Sequence, residues 1–463
     1  MSEFQAWTSQ HRTIRASRDW NALLDHGLVK PASYIIRKNG SYYEAINGST
    51  GKIDYGGANN AGGVSGTDAA TVIQQAIDTL PSEGGKIFIK AGTYPCSNTI
   101  NIQDKALTII GENLKTVLYF SDVSGINIEG ISTEAEIEDL RVTISTLCIE
   151  GNDTSGTVGI TVADRSSRRV VIDNVMVKHF EAGILTYNCH SVYLNRVISS
   201  YNLDYGLRVG YGAEQYANNI SVKDSIFEVN GKKGIILIGN GYGITIEDCL
   251  MEANGEEGLY IYPLSGGKWS NVLVRRCWFE QNGESGDATT SELSVAWAEV
   301  TENLAVEHCL FSNVNAHPNV VNTVSLGYGF NIQLIGNVFI TDRTAIKFGS
   351  SETQGVIERN DFTQATGTII SGANQMKFKW NRGYVTENSG TAIIPANTKS
   401  HQVVFDLVGA PTVVKVTPQF DVSGRWWISN LISGAGGIGQ FTFNRTYSGL
   451  YSGVLHYNAY YTL

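Results

Sequence analysis

Proline is scarce in this chain, eight residues among 463, while glycine is abundant at fifty. That balance suits strands joined by tight turns. No basic run occurs and the formal net charge is −10. Nucleic acid and an anionic membrane surface are therefore not the expected partners. No stretch approaches the ~18 apolar residues that span a bilayer, so no membrane span is expected. The opening MSEFQAWTSQHRTIRASRDW lacks an apolar signal core, so the expectation is that a signal was removed or that the protein leaves its cell by another route. No C-x-x-C occurs, and His190 and His308 only flank Cys189 and Cys309 in strand-like runs. No metal and no cofactor are expected.

What the chain does contain is a repeat. From Asn218 to Tyr262 the same phrase occurs twice: an alternating run, a small residue, a large apolar residue, Asn-Gly, and a second alternating run. Ile220, Val222, Ser225, Phe227, Ile235 and Leu237 match Ile244, Ile246, Cys249, Met251, Leu259 and Ile261. Alternation marks strands with one buried face. Strand-only repeats of this length mark a solenoid, in which stacking supplies the core that no single coil can make. A solenoid lengthens without thickening, so the chain length does not by itself imply several compact cores.

Aligned on the small position, the coils give a ladder of Asn174, Ser225, Cys249, Cys277, Cys309, Asn337, Asn360 and Asn381. Arg196 falls in that register in one coil, with Asn195 as the alternative. Beside it runs a row of large residues: Met176, Ile198, Phe227, Met251, Phe279, Phe311, Phe339 and Phe362. Such ladders are the mark of a parallel β-helix, whose coils are stacked at one strand spacing, ~4.8 Å. The six cysteines (Cys96, Cys148, Cys189, Cys249, Cys277 and Cys309) make an even set, but three of them lie in the ladder and read as inward packing thiols. The residues just after the ladder, Val175, Val197, Ile226, Leu250, Trp278, Leu310 and Val338, are expected to form an outward apolar stripe.

In chain order, Ser17 to Gly27 reads as a short helix with a Ser cap and a Gly stop. Residues 33–55 alternate around Asn39-Gly40 and Asn47-Gly48, which are hairpin signals. Gly56 to Gly66 reads as a flexible joint. Thr67 is placed to cap a helix whose Val72, Ile73, Ala76, Ile77 and Leu80 form one apolar face, a lid for the open first coil. Past Gly383 the coil phrase gives way to short strands of antiparallel type, read as a β-sandwich. The predicted architecture is all-β: about ten coils of parallel β-helix over residues 59–385 with the lid at 67–80, a helix-and-hairpin segment over 1–58, and a sandwich over 386–463.

The lid helix, the phrase GGKIFIKAGTY (Gly84 to Tyr94) and the ladder-bearing coils resemble the pectate-lyase-like superfamily of right-handed β-helices, over roughly residues 67–385. The C-terminal pattern IPA, PTVVKVTP, WWISN is similar to terminal modules of phage tail proteins, which often trimerise. The resemblance implies a polysaccharide partner, a homotrimer and an extracellular or virion-associated location. It carries over no catalytic motif: Asn-Thr-Asp, Gly-His-Gly, Asp-Pro-His-Asp and Trp-x-Asp-His are all absent.

In folds of this kind the strand after the Asn-Gly turn usually presents substrate on its outer face. Its outward positions here are Leu185, Arg208, Ile236, Tyr260 and Ser294, followed by Tyr187, Ile238 and Tyr262. Arg208, Tyr260 and Tyr262 are expected to line one saccharide groove, with rings for stacking and a charge for hydroxyls. The preceding turn stacks Asp204-Tyr205, Lys232-Lys233 and Glu256-Glu257, and Glu292 follows a long loop. Asp204 and Glu256, two coils apart at ~9.6 Å, approach the spacing of an inverting pair, while Glu257 and Glu292, one coil apart, approach a retaining one. A lyase would instead set Arg208 or Lys233 against a uronate. The plain alternative is that these charges are intercoil surface ion pairs. Two functions follow: a tailspike-like depolymerase, either glycoside hydrolase or polysaccharide lyase, or a non-catalytic trimeric surface protein that binds glycans or only builds a shaft.

Overall fold

The computed structural model describes residues 32–81, 83–103, 105–130, 141–163, 168–212, 216–284, 290–297, 299–314, 320–372 and 374–384. Beyond these it describes six backbone strands up to Tyr460. The helix expected at Ser17 to Gly27 lies outside the described residues.

Two antiparallel hairpins open the described chain, Tyr34–Asn39 with Tyr42–Asn47 and Tyr42–Asn47 with Ile53–Gly56. The turns fall where Asn39-Gly40 and Asn47-Gly48 predict them. Tyr34–Ile36 then pairs in parallel with Ile87–Ile89, so the hairpins continue the sheet of the solenoid. The glycine-rich stretch after them is not a flexible joint. Tyr43 exchanges backbone hydrogen bonds with it, its N–H donating to Gly66 and its carbonyl accepting from Gly57, both at 2.8 Å. Helix α1 spans Ala69–Asp78, and its cap is Asp68 rather than Thr67. The Asp68 carboxylate accepts the Thr71 N–H at 2.8 Å and also the Ser97 N–H at 2.9 Å, a second bond that favours a carboxylate over a hydroxyl here. Val72, Ile73, Ala76 and Ile77 are buried against the first coil, as expected of the lid.

From Gly85 to Lys379 the chain winds through parallel coils, each contributing a strand to three sheets. One coil shows the pattern. Tyr216–Lys223 pairs with Asn240–Glu247 in the first sheet, Ile226–Glu228 with Leu250–Glu252 in the second, and Ile235–Gly239 with Leu259–Pro263 in the third. Inward side chains of all three sheets merge into one continuous apolar core. Phe279, Phe311, Phe339 and Phe362 stack through it, with neighbouring centroids 4.8–5.1 Å apart and planes within 19°. Offset ring stacking adds about 0.5–1.5 kcal/mol per pair beyond the area buried.

The corner between the first and second sheets explains the ladder. The residue before each ladder position is in the left-handed region: Asp224, Asp248, Arg276, His308, Arg359 and Trp380 have φ of 50–56°. That turn aims the next backbone N–H along the solenoid axis, where it needs an acceptor. Side chains of the following coil supply one. Val197 N–H donates to Ser225 Oγ at 3.1 Å, Cys309 N–H to Asn337 Oδ1 at 2.9 Å, and Asn337 N–H to Asn360 Oδ1 at 2.9 Å. All six cysteines are free and buried. Burial and the hydrogen bond with Cys277 raise the Cys309 thiol well above its ordinary value.

Two early coils depart from the expected register. Asn174 and Arg196 occupy the left-handed corner itself, with φ of 54° and 52°. Val175 and Val197 are the buried ladder residues, not outward ones. Met176 pairs with Ile198 and Ile198 with the outward Ile226, and the inward places beside them go to Val177 and Ser199. Alignment on small polar residues skips a valine in that role, and a slip of one residue reverses every face. After the last coil, six strands form two three-stranded antiparallel sheets, Glu387–Ile394, Gly453–Tyr460 and Val413–Pro418 in one, and Ser400–Asp406, Ile438–Arg445 and Trp426–Ser433 in the other.

An aspartate at position 77 would bury a charge with no partner between lid and core. Ile77→Asp is expected to lower the thermal unfolding midpoint by an amount matching a loss of several kcal/mol. An unchanged midpoint would contradict the lid's role.

Candidate functional site

The outer face of the third sheet is one column of stacked side chains. Pairing runs from Leu185 through Arg208, Ile236 and Tyr260 to Ser294, Ser325, Lys347 and Ser371. A second column, two residues along, carries Ile238 beside Tyr262. Alternation within Leu259–Pro263 buries Leu259, Ile261 and Pro263 and leaves the two tyrosines outward. The rings of Tyr260 and Tyr262 stack at 5.4 Å and 10°. Together they form an offset stacked pair on the outer face of the strand.

The pair lines one end of an elongated cavity of about 840 Å3. Glu256 and Glu257 line that end, Ser294, Ser325 and Lys347 continue along the strand column, and Trp297 and Val321 add to the lining. Trp297 is 58% exposed. Its ring lies over Gly349, where a Cβ would come within 2.6 Å of it. Any larger residue at 349 would push the wall outward.

The charges at the Glu256-Glu257 end are coupled through Lys233. Its ammonium is hydrogen-bonded to Glu256 and lies 3.3 Å from Glu257. Two carboxylate oxygens sharing one nitrogen are no more than two hydrogen-bond lengths apart, about 6 Å. The ammonium also sits 5.1 Å from the centroid of the Tyr260 ring. Burial, with smaller contributions from Glu257 and Tyr262, pushes the Tyr260 phenol up to about 12. It stays protonated at neutral pH and is a hydrogen-bond donor rather than a ready base.

Asp204 is in register with Lys232 and Glu256, since the backbone N–H groups of Lys232 and Glu256 donate to the carbonyls of Asp204 and Lys232. Its carboxylate is held by Lys232 at 2.7 Å and does not line the cavity. Arg208 also lies outside it. The guanidinium rests 4.6 Å from the Tyr211 centroid and 5.8 Å from that of Tyr205, and the Ile236 coil separates it from Tyr260. The expected single groove of Arg208, Tyr260 and Tyr262 is therefore two neighbouring regions of one face. Trp297, Ser325 and Lys347 were not anticipated. Ser325 and Lys347 follow from counting the same alternation into SLGYG and AIKFG, while Trp297 sits on a connection with no repeat signal.

Glu292 departs most from expectation. Leu259 pairs with Leu293, which sets Glu292 opposite Gly258 and turns its side chain inward, fully buried. The reason is a second ladder that lies inside the Asn-Gly turns. The side-chain amide of Asn202 donates to Asn230 Oδ1 at 2.9 Å, that of Asn230 to Asn254 at 2.9 Å, and that of Asn254 to Asn282 at 2.7 Å. Each amide presses on a glycine of the next strand: a Cβ at Gly206, Gly234 or Gly258 would lie 2.8–2.9 Å from the amide nitrogen. After Asn282 the next coil runs Ser312-Asn313-Val314, with Val314 exposed. Glu292 replaces both the glycine and the missing asparagine. Its Oε1 accepts the Asn282 backbone N–H at 3.3 Å and its Oε2 the side-chain amide at 2.5 Å. Enclosure raises its carboxyl to about 8 against the pull of these bonds. Thr290 Oγ1, Ser291 Oγ and both amide atoms of Asn313 are also buried without a partner among the described residues. No group of three or more metal-ligating side chains occurs among the described residues, and no described helix is long and apolar enough to cross a membrane.

A family model described as a right handed beta helix region matches residues 124–305. The fold is a right-handed parallel β-helix. No curated protein matches the chain. Among solved structures it is similar to ORF18 of Geobacillus virus E2, at 14% identity over 84% of this chain and 73% of that one, with a TM-score of 0.46. It is similar also to the Dettilon tailspike protein gp208, at 12% identity over 86% and 92%, TM-score 0.43. A third is the A-module of a mannuronan C-5 epimerase from Azotobacter vinelandii, at 14% over 68% and 95%, TM-score 0.38.

The buried acid gives a pH signature. Its pKa is near 8 in the folded protein and in the ordinary glutamate range when unfolded, so between these values the folded state holds the extra proton. That contribution to stability is complete below about pH 4.5 and is lost as pH rises through about 8. Glu292→Gln keeps an acceptor for Asn282 and removes the titration. The wild-type unfolding midpoint is expected to fall from about pH 5 to about pH 9 more steeply than that of the variant. Parallel slopes would show that Glu292 is ionised throughout.

Proposed function

We propose that the protein binds a polysaccharide along the outer face of the third sheet and cleaves it at the carboxylate end of the groove, acting outside the cell, free or carried on a virion. The observation that carries this reading is the juxtaposition of the stacked Tyr260-Tyr262 pair with Glu256 and Glu257 in one elongated cavity. Sugar faces are apolar and stack on aromatic rings, while their hydroxyls need fixed polar partners. A trough running over several coils suits an extended chain better than a compact metabolite. Two carboxyl groups about 6 Å apart or less fit the double-displacement geometry of a retaining glycosidase. Glu257 and Glu256 would then share the roles of acid/base and nucleophile, with Lys233 holding both in place. The protonated Tyr260 suits hydrolysis better than a lyase in which it served as base.

One observation favours a binder without chemistry. Lys233 is paired with both carboxylates, and such pairing also serves plain intercoil cohesion. Reducing-end release from a panel of bacterial capsular and exopolysaccharides separates the two readings. Glu257→Gln and Glu256→Gln are expected to lower cleavage by at least about a hundredfold while binding persists. Tyr260→Ala is expected to weaken binding about tenfold. Binding with no cleavage by the wild type would favour the second reading, and a product with ultraviolet-absorbing unsaturation would replace hydrolysis by elimination.

We also propose a homotrimer. Met176, Ile198, Ile226, Leu250, Trp278, Leu310 and Val338 form an outward apolar stripe along the second sheet, with Trp278 47% exposed. A straight stripe seven coils long matches copies packed about an axis parallel to the solenoid. Light scattering is expected to report three copies for the full chain at micromolar concentration and dissociation for Trp278→Glu. A monomeric wild type would refute the assembly.

A further inference from the structure

The outward column that contains Tyr260 also carries two cations, Arg208 and Lys347, and no acid. Other cations facing this region are neutralised: Lys232 by Asp204, and Lys233 by Glu256 and Glu257. Glu181, a further described acid near Arg208, is engaged by Ser155 Oγ and the Gly156 N–H, each at 2.7 Å. Among the described residues neither Arg208 nor Lys347 is within salt-bridge distance of a carboxylate. Lys347 Nζ meets only Ser371 Oγ, at 3.5 Å. Among the described residues Arg208 packs against the rings of Tyr205 and Tyr211, and Tyr211 is braced in turn by Tyr187 at 5.7 Å. Its Nε is buried and unpartnered.

Ring contacts fix a guanidinium in place, and its terminal amino groups, with no carboxylate at salt-bridge distance among the described residues, match the two oxygens of a carboxylate or an oxyanion. We infer that the polysaccharide is anionic, and that Arg208 takes a carboxylate, sulfate or phosphate substituent while Lys347 takes a second one further along the same chain. From Arg208 to Lys347 the column advances five strand spacings, ~24 Å, a span for an extended polymer and not for a single sugar. This inference rests on the glycan-groove reading and adds the charge class of its ligand.

The test measures retention on immobilised polymers: alginate, polygalacturonate and hyaluronan as carboxylates, carrageenan as a sulfate, teichoic acid as a phosphate, and dextran and galactomannan as neutral chains. The wild type is expected to bind at least one anionic member and neither neutral one, with affinity falling as salt rises. Arg208→Gln should weaken that binding about tenfold to a hundredfold, as loss of charge-assisted bonds does. Lys347→Gln should weaken it less, and Arg208→Lys should recover part. Carboxyl reduction of a retained polymer that abolishes binding identifies carboxylate as the group read, and persistence on carrageenan or teichoic acid identifies sulfate or phosphate. Equal retention on neutral polymers, or an Arg208→Gln protein that is folded by thermal midpoint and binds undiminished, overturns the inference. If Tyr260→Ala still weakens binding in that case, the groove reading stands. Retention on no polymer of either set overturns both.

Discussion

Everything in this solenoid depends on how the backbone N–H groups at its corners are satisfied. A parallel coil must turn sharply between sheets, and the turn used here puts one residue per corner in the left-handed region, at a cost of order 1 kcal/mol each for a residue with a Cβ. The N–H that follows points along the axis into the core. Buried and unpaired, it would be as costly as the strain itself. The next coil answers with a side chain at a fixed place: serine, cysteine or asparagine at one corner, asparagine at the other. Each coil is thus completed by its successor, which makes the array cooperative along its length and fixes the register of the strands between corners.

The groove lies where that regularity changes. Through Asn282 each inner asparagine is answered by another one coil on, and the facing strand must carry glycine to make room. At the next coil a loop departs, the asparagine is lost, and Glu292 enters from the glycine position to accept the same two hydrogen bonds. The residues of that altered stretch, Thr290, Ser294 and Trp297, also shape the cavity beside Tyr260 and Tyr262. One acid therefore closes a structural ladder from within, while two others, Glu256 and Glu257, face the groove from the preceding coil. Residues of one type on neighbouring coils thus serve opposite faces of one sheet.

The fold was legible because its signal repeats. Alternation around Ser225 and Cys249 identifies strands, and their recurrence identifies coils, with no knowledge of what pairs with what. The lid and the opening hairpins were equally plain, since Ile73 and Ile77 share a helix face and Asn39-Gly40 forms a turn by local chemistry alone. The register slip at Asn174 and Arg196 shows the limit of that method: a valine does in those coils what a small polar residue does elsewhere, and only the pairing of Met176 with Ile198 and Ile226 reveals it. The site was legible in part. The alternation that turned Tyr260 and Tyr262 outward also turned Arg208 outward, but it carried no information on which outward residues share one cavity.

The sequence by itself determined the coil, the faces of most strands, the inward thiols and the outward tyrosines, because each follows from a period of two residues within a period of one turn. Tertiary structure decided which residues meet across coils. It drew Glu292 inside to take the place of an absent asparagine, joined Glu256 and Glu257 through Lys233, tied Asp204 to Lys232, and set Trp297 and Lys347 beside the tyrosines. These are contacts between residues 10 to 90 positions apart whose spacing depends on loop lengths, and loop length is the one quantity a solenoid leaves free while it holds its strand spacing constant.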